Sequence, residues 1–225
     1  MTTLLTSTQS GTAVLTLNRP ERANSFNFEM VNELRNALAD AEKNPQVRCV
    51  VITGGGKVFS AGQDITEMKR GTEISYREHL NKTYNPLILQ IRNMGKPVVA
   101  AVNGPCAGAA FGVALACDLR IAKTNSYFVV GFSGIALAPD SGVSLLLPTY
   151  IGLGRAQEYF YSNKPITANP VSYTHLRAHE TVLDLVCRLL LEKKTSLNNI
   201  SRLSSKPLQY HPNKHIYPNV NTLYK

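Results

Sequence analysis

Two apolar strands, each running into a glycine-rich turn and then a helix, constrain this chain more than any other feature. The first is Cys49-Val50-Val51-Ile52-Thr53, followed by Phe59-Ser60-Ala61-Gly62-Gln63-Asp64-Ile65. The second is Pro97-Val98-Val99-Ala100-Ala101-Val102, followed by Asn103-Gly104-Pro105-Cys106-Ala107-Gly108-Ala109-Ala110-Phe111-Gly112. A buried strand that turns tightly into a helix leaves backbone N–H groups unpaired at the helix start, aimed outward with the positive end of the helix dipole. Two such turns facing one point can cradle a single carbonyl oxygen that gains charge during a reaction.

The surrounding chain supplies the same alternation. Thr12–Leu17 alternates as a strand, and Phe28–Lys43 places Met30, Val31, Leu34, Ala37, Leu38 and Ala41 on one helical face behind an Asn27 cap. Gln46–Thr53 is predicted as a strand closing at Gly54-Gly55-Gly56, and Ser75–Met94 as a helix that Pro86 kinks or divides. Strands alternating with helices argue for a layered α/β fold, and about 170 residues suffice for one well-buried domain.

Charge and rarer residues exclude several functions. The net charge of +9 is uneven: residues 1–170 carry 16 Lys and Arg against 12 Asp and Glu (+4), and residues 171–225 carry 8 against 3 (+5). The basicity is largely a tail property, and the Lys and Arg of residues 1–170 are scattered, so no nucleic-acid partner is expected. His175/His179 and His211/His215 have i, i+4 spacing but no acidic or thiol partners, so no metal site is expected. Cys49, Cys106, Cys117 and Cys187 show no CxxC spacing, and Cys106 in the second turn has no nearby histidine, which makes it a packing residue. Neither turn ends in GK[ST], and no GxGxxG follows the first strand, which argues against a nucleotide phosphate loop. The N-terminus lacks a basic region with a long apolar core, and no apolar run reaches about 18 residues, so a cytoplasmic protein off the membrane is expected.

The paired glycine turns resemble the oxyanion-hole segments of the crotonase superfamily, the enoyl-CoA hydratases and isomerases. Thr16-Leu17-Asn18-Arg19-Pro20-Glu21-Arg22-Ala23-Asn24-Ser25 is similar to that family's first CoA-contacting turn, and Cys117-Asp118-Leu119-Arg120-Ile121-Ala122 to the strand after the second turn. The similarity runs from about Ala13 to Asn169. It implies a spiral β-β-α superhelix, an acyl-CoA thioester substrate, no separate cofactor (coenzyme A is part of the substrate) and a homotrimer or hexamer. It also implies that the backbone N–H groups of Gln63 and Ala109 form the oxyanion hole, each worth roughly 3 kcal/mol. Coenzyme A would meet Arg22 and the backbone at Ala23, Ala61, Asp64 and Ile65. The Asp64 side chain is expected to cap the following helix, and Asp118 to be structural.

Hydratases of this family use two glutamates to hold and activate water; the corresponding positions here are Gly112 and Phe132. With both carboxylates missing, adding water to a double bond lacks its acid/base pair. A carboxylate stands instead at Asp140, in Leu137-Ala138-Pro139-Asp140-Ser141-Gly142, where the isomerase branches place their catalytic acid. With Phe128-Val129-Val130-Gly131-Phe132-Ser133, it most resembles the branch that converts ring-epoxidised phenylacetyl-CoA to an oxepin. On its residues alone Asp140 reads equally well as a helix cap after Pro139. The resemblance implies an isomerase of the 2-(1,2-epoxy-1,2-dihydrophenyl)acetyl-CoA or Δ3,Δ2-enoyl-CoA type, with Asp140 shuttling one proton and Phe132 lining the acyl site. The alternatives are a broader enoyl-CoA hydratase or dienoyl-CoA isomerase, which needs a second carboxylate, and a non-catalytic CoA-thioester or RNA-binding relative.

The resemblance ends near Pro170, which sets residues 1–169 as an incomplete catalytic domain and 170–225 as a separate tail. Val171–Thr181 (VSYTHLRAHET) and Leu185–Lys194 (LVCRLLLEKK) back-translate in one frame to the two ends of a transposon-type sequencing adapter, with Val182-Leu183-Asp184 where an index would lie. The segment therefore reads as translated library DNA; the other reading is an amphipathic helix with Val182, Leu185, Val186, Leu189 and Leu190 on one face. A tail of this kind in place of the family's closing helices would leave an apolar face uncovered and impair assembly.

Overall fold

The computed structural model describes residues 2–68 and 75–168. The tail, with both adapter-like stretches, lies outside the described residues. The elements, in chain order, are β1 (Leu4–Gln9), β2 (Thr12–Leu17), α1 (Phe28–Lys43), β3 (Cys49–Gly54), α2 (Ile65–Met68), α3 (Tyr76–Lys82) and α4 (Tyr84–Asn93). They continue with β4 (Val98–Val102), β5 (Cys106–Ala107), α5 (Ala109–Ala116), β6 (Leu119–Ala122), β7 (Tyr127–Val129), α6 (Val143–Ile151), α7 (Leu153–Ser162) and β8 (Ile166–Thr167).

One sheet has the order β1-β2-β3-β4-β6 and a second, smaller one the order β5-β7-β8. In the larger sheet β2, β3, β4 and β6 are parallel, and β1 is antiparallel to β2. The chain is mixed α/β, as the resemblance implies. β1 escapes the sequence reading because Leu5–Gln9 is exposed and has no apolar alternation. Its signal is the Ser10-Gly11 pair: both have positive φ (51° and 81°), the conformation of a two-residue hairpin turn.

α1 forms where the periodicity puts it. Asn27 accepts a hydrogen bond from the Met30 N–H at 2.9 Å, and Met30, Val31, Leu34, Leu38 and Ala41 are buried. β3 begins at Cys49 rather than Gln46, because Arg48 and Cys49 first bond back to the Gly11 carbonyl of the hairpin turn. The predicted helix over 75–94 is divided in two at Thr83, three residues before Pro86. Pro86 thus falls in the first turn of α4, where no helical donor is lost. α5 is apolar on every side and buried at all eight positions, so it passes through the core between the sheet and α4 and α6. Phe26, Phe59, Tyr84, Phe111 and Phe128 are among the largest fully buried side chains of the core.

Candidate active site

The two glycine turns lie side by side and are stitched together. The Phe59 N–H donates to the Pro105 carbonyl at 3.0 Å, and the Ala107 N–H to the Ser60 carbonyl at 3.0 Å. Asn103, at the head of the second turn, donates to the Gly54 and Gly56 carbonyls of the first at 2.9 and 3.0 Å and accepts from the Gly54 N–H. Gly62 has φ +91°, and a side chain there would come within 2.7 Å of the Ala107 carbonyl and 3.2 Å of the Ala109 nitrogen. Glycine at 62 therefore keeps the Ala109 N–H uncovered. The neighbours of Gln63 pair with Phe26: the Phe26 N–H donates to the Gly62 carbonyl at 2.7 Å, and the Asp64 N–H to the Phe26 carbonyl at 2.9 Å. In a parallel bridge this pattern turns the N–H of the intervening residue, Gln63, to the other side.

Gln63 and Ala109 both line a cavity of about 440 Å³. Of the residues predicted from sequence, Arg22, Ala61, Asp64, Ile65, Phe132 and Asp140 line it too, and Ala23 does not. The N–H groups of three of these residues are engaged within the protein. The Ala23 N–H donates to Pro20, the Ala61 N–H to the Ala23 carbonyl and the Asp64 N–H to Phe26. These N–H groups hold the turn together. Asn24 completes the stitching: its side chain accepts from the Arg19 N–H and donates to the Gly55 and Val58 carbonyls, each at 2.8 Å.

Two carboxylates line the cavity among the described residues, and they differ in commitment. Asp64 caps α2 through the Thr66 N–H at 3.1 Å and hydroxyl at 2.6 Å, and its other oxygen pairs with Arg19 at 2.9 Å. Burial alone would raise its pKa, but the bonds from Thr66 and Arg19 outweigh that and hold it below the ordinary 3.8. Asp140 is half-buried and has no cationic partner among the described residues; its oxygens accept from the Tyr76 and Ser141 hydroxyls. The cap reading of Asp140 does not hold: α6 starts behind Gly142 with no side-chain cap, and the Val143 N–H donates to the Asp140 backbone carbonyl, not to its carboxylate. The Asp140 carboxylate is thereby left to the cavity.

The two positions where hydratases of the resemblance carry glutamate also have structural explanations. A Cβ at Gly112 would lie 2.0 Å from the Ser141 carbonyl oxygen, so no side chain fits there without moving backbone. Phe132 is buried and forms apolar wall.

Three cavity residues were invisible to the sequence reading: Tyr76, His79 and Tyr84. His79 Nε2 lies 3.1 Å from Gln63 Oε1. Burial pushes the His79 pKa below the ordinary 6.5, against the opposing charges of Glu67 and Asp140, which favours the neutral ring at neutral pH. Burial pushes both tyrosines well above 10, and the neighbouring Asp140 carboxylate adds to the effect. The available signal was that His79 is the one histidine in residues 1–170. Cys106 is fully buried and its thiol is pushed well above its ordinary pKa by burial, so it stays a neutral packing group.

A family model described as enoyl-CoA hydratase/isomerase matches residues 7–200. The chain belongs to the enoyl-CoA hydratase/isomerase family. The matched span runs past residue 170, where the resemblance read from sequence ends. Among this family's curated members, the 1,2-epoxyphenylacetyl-CoA isomerase of Escherichia coli (strain K12) is 40% identical over 156 residues, 68% of this chain and 60% of that protein. The trans-2-decenoyl-[acyl-carrier-protein] isomerase of Streptococcus mutans serotype c is 34% identical over 168 residues, 73% of this chain and 64% of that protein. The chain thus spans less than two thirds of the length of these relatives. A crystal structure of an enoyl-CoA hydratase from Polaromonas sp. JS666 superimposes with a TM-score of 0.72 at 30% identity, covering 91% of this chain and 85% of that one.

Proposed function

We propose that the chain is an acyl-CoA isomerase, of the 2-(1,2-epoxy-1,2-dihydrophenyl)acetyl-CoA or Δ3,Δ2-enoyl-CoA type, in which Asp140 is the single proton carrier. The observation that carries this reading is the inventory of the cavity. Among the described residues Asp140 is its one carboxylate outside an ion pair, and the Gly112 position is closed to a second by the Ser141 carbonyl. The thioester oxygen of the substrate accepts the Gln63 and Ala109 N–H groups. As Asp140 removes the proton next to the thioester, charge moves onto that oxygen, where each donor contributes roughly 3 kcal/mol more to the transition state than to the ground state. Asp140 then returns the same proton two carbons away, and the double bond has moved with no net gain or loss of atoms. In an epoxide substrate the carboxylate assists ring opening in the same place.

Phe132, Ile135, Leu137 and Leu80 give the acyl end an apolar wall that suits an aromatic or unsaturated hydrocarbon group. The isomerase names of the two relatives support this reading, and the hydratase name of the solved neighbour stands for the alternative. Arg22 stands at the cavity with its side chain exposed, fit to meet a phosphate of coenzyme A.

The test is Asp140→Asn, which keeps shape and removes the base. With 3-hexenoyl-CoA as substrate, turnover to the conjugated 2-enoyl product should fall roughly 100- to 10,000-fold while the thermal midpoint stays near the parent's. Turnover at the parental rate sinks the mechanism.

A further inference from the structure

α3 carries two cavity side chains that the proton shuttle leaves without a role. Tyr76 and His79 are three residues apart and so share one helix face, and both line the cavity with Leu80. The Tyr76 hydroxyl donates to Asp140 Oδ2, and the Ser141 hydroxyl to Asp140 Oδ1 at 2.6 Å. His79 bonds to Gln63 Oε1 on the turn that carries the oxyanion donor. One helix therefore reaches both halves of the site, the base and the oxyanion hole. The helix is itself held at both ends: Ser75 accepts the Glu78 N–H at 3.2 Å, and the Thr83 hydroxyl donates to the His79 carbonyl at 2.7 Å.

We propose that Tyr76 is a positioning residue for the Asp140 carboxylate, on a helix pinned to the oxyanion turn by the His79–Gln63 bond. This deepens the isomerase reading and rests on Asp140 being the base. A carboxylate whose two oxygens are each held by one hydroxyl has a defined plane and keeps a lone pair on each oxygen for the substrate proton. A 1,3 shift needs that definition, because the same oxygen must reach two carbons of one bound substrate and small misplacements are costly. Tyr76 suits the task because it keeps its proton: burial and the adjacent carboxylate both oppose its ionisation, so it donates throughout the neutral range and never competes as a base. In the shuttle one C–H bond breaks and another forms with the same proton on Asp140; the Tyr76 O–H bond stays intact. Among the described residues, the other titratable or charged groups that share the cavity with Asp140 are His79 on α3, Tyr84 on α4, and Asp64 and Arg22 on the turns, and Glu67 on α2 acts on His79 and Tyr84.

The experiment compares the full chain with its Tyr76→Phe and Asp140→Asn variants on 3-hexenoyl-CoA, measuring kcat, KM and the thermal midpoint. Tyr76→Phe keeps the ring and loses one hydroxyl. The expected result is a kcat lower by roughly 10- to 100-fold with KM within about twofold. The thermal midpoint should stay near the parent's. A parental kcat, alongside an inactive Asp140→Asn, overturns the role of Tyr76 and leaves the base assignment standing. A lowered kcat accompanied by a raised KM or a lowered thermal midpoint also overturns it, because a structural defect alone explains that pattern. Parental turnover in Asp140→Asn overturns the base assignment, and the role of Tyr76 with it.

Discussion

At Gly112 the isomerase reading turns on a missing side chain. A water-adding site needs a second carboxylate, and the Ser141 carbonyl oxygen stands 2.0 Å from where its Cβ would be. Restoring the glutamate by Gly112→Glu should therefore not create a hydratase. The variant is expected to lose several kcal/mol of stability, of the order seen for overpacked cores, and to show no hydration of crotonyl-CoA. A folded variant that hydrates crotonyl-CoA would show that the Asp140-Ser141 segment can move, and that the closed position is not what selects isomerisation. Asp140 carries the complementary lesson. Its side chain had two equally good local uses in the sequence, cap or base, and Gly142 at the head of α6 settles the first: the helix starts without a side-chain cap.

At the scale of elements, α5 joins the second glycine turn to the core. Its N-terminus presents the Ala109 N–H to the cavity, and its C-terminal carbonyls are gathered by a buried cation. Arg120, 4% exposed, bonds the Ala114, Leu115 and Cys117 carbonyls at 2.8 to 3.4 Å and lies 4.2 Å over the Tyr150 ring. A positive group at that end complements the helix dipole and satisfies acceptors that α5 leaves over. Arg120→Met, similar in length but without the guanidinium, should cost about 2–4 kcal/mol in chemical denaturation, since several buried carbonyls lose their donor. A variant as stable as the parent would mean that water or Tyr150 alone serves those carbonyls; the Tyr150 hydroxyl already donates to Leu115 at 3.1 Å. The sequence shows α5 plainly as an apolar run behind a glycine turn, yet nothing local marks Arg120 as its partner. A strand arginine reads as a solvated charge until the fold buries it.

For the whole molecule, the shifted groups set the pH range of stability. His79 binds its proton less readily folded than unfolded, so stability falls as the pH drops below about 6.5, where the unfolded chain takes up the proton first. Asp64 adds a second loss further down: its contribution is complete above 3.8 and disappears as the pH falls through its lower folded value. Tyr84 works at the other end, since its hydroxyl resists ionisation when folded, and stability is lost as the pH rises above 10. The urea midpoint should therefore be lower just below pH 6 than at neutral pH, and His79→Gln should flatten that step. An unchanged step in His79→Gln would assign it to another group.

Much of this fold is local and was legible for that reason. The strand–glycine–helix units, the Asn27 cap and the break before Pro86 follow from dihedral limits and hydrophobic period within a few residues of chain. The two glycine turns belong to the same class, because a helix start and a glycine with positive φ create outward N–H groups wherever they occur. Asp140 was visible through its motif. The tertiary structure alone decided who meets whom. It brought Tyr76 to Asp140 across 64 positions of chain and closed Gly112 with a carbonyl 29 positions away. It also engaged the N–H groups of Ala23, Ala61 and Asp64 in holding their own turn. Such contacts depend on how helices and turns pack in three dimensions, and the side chains that make them carry no local sign of their partner.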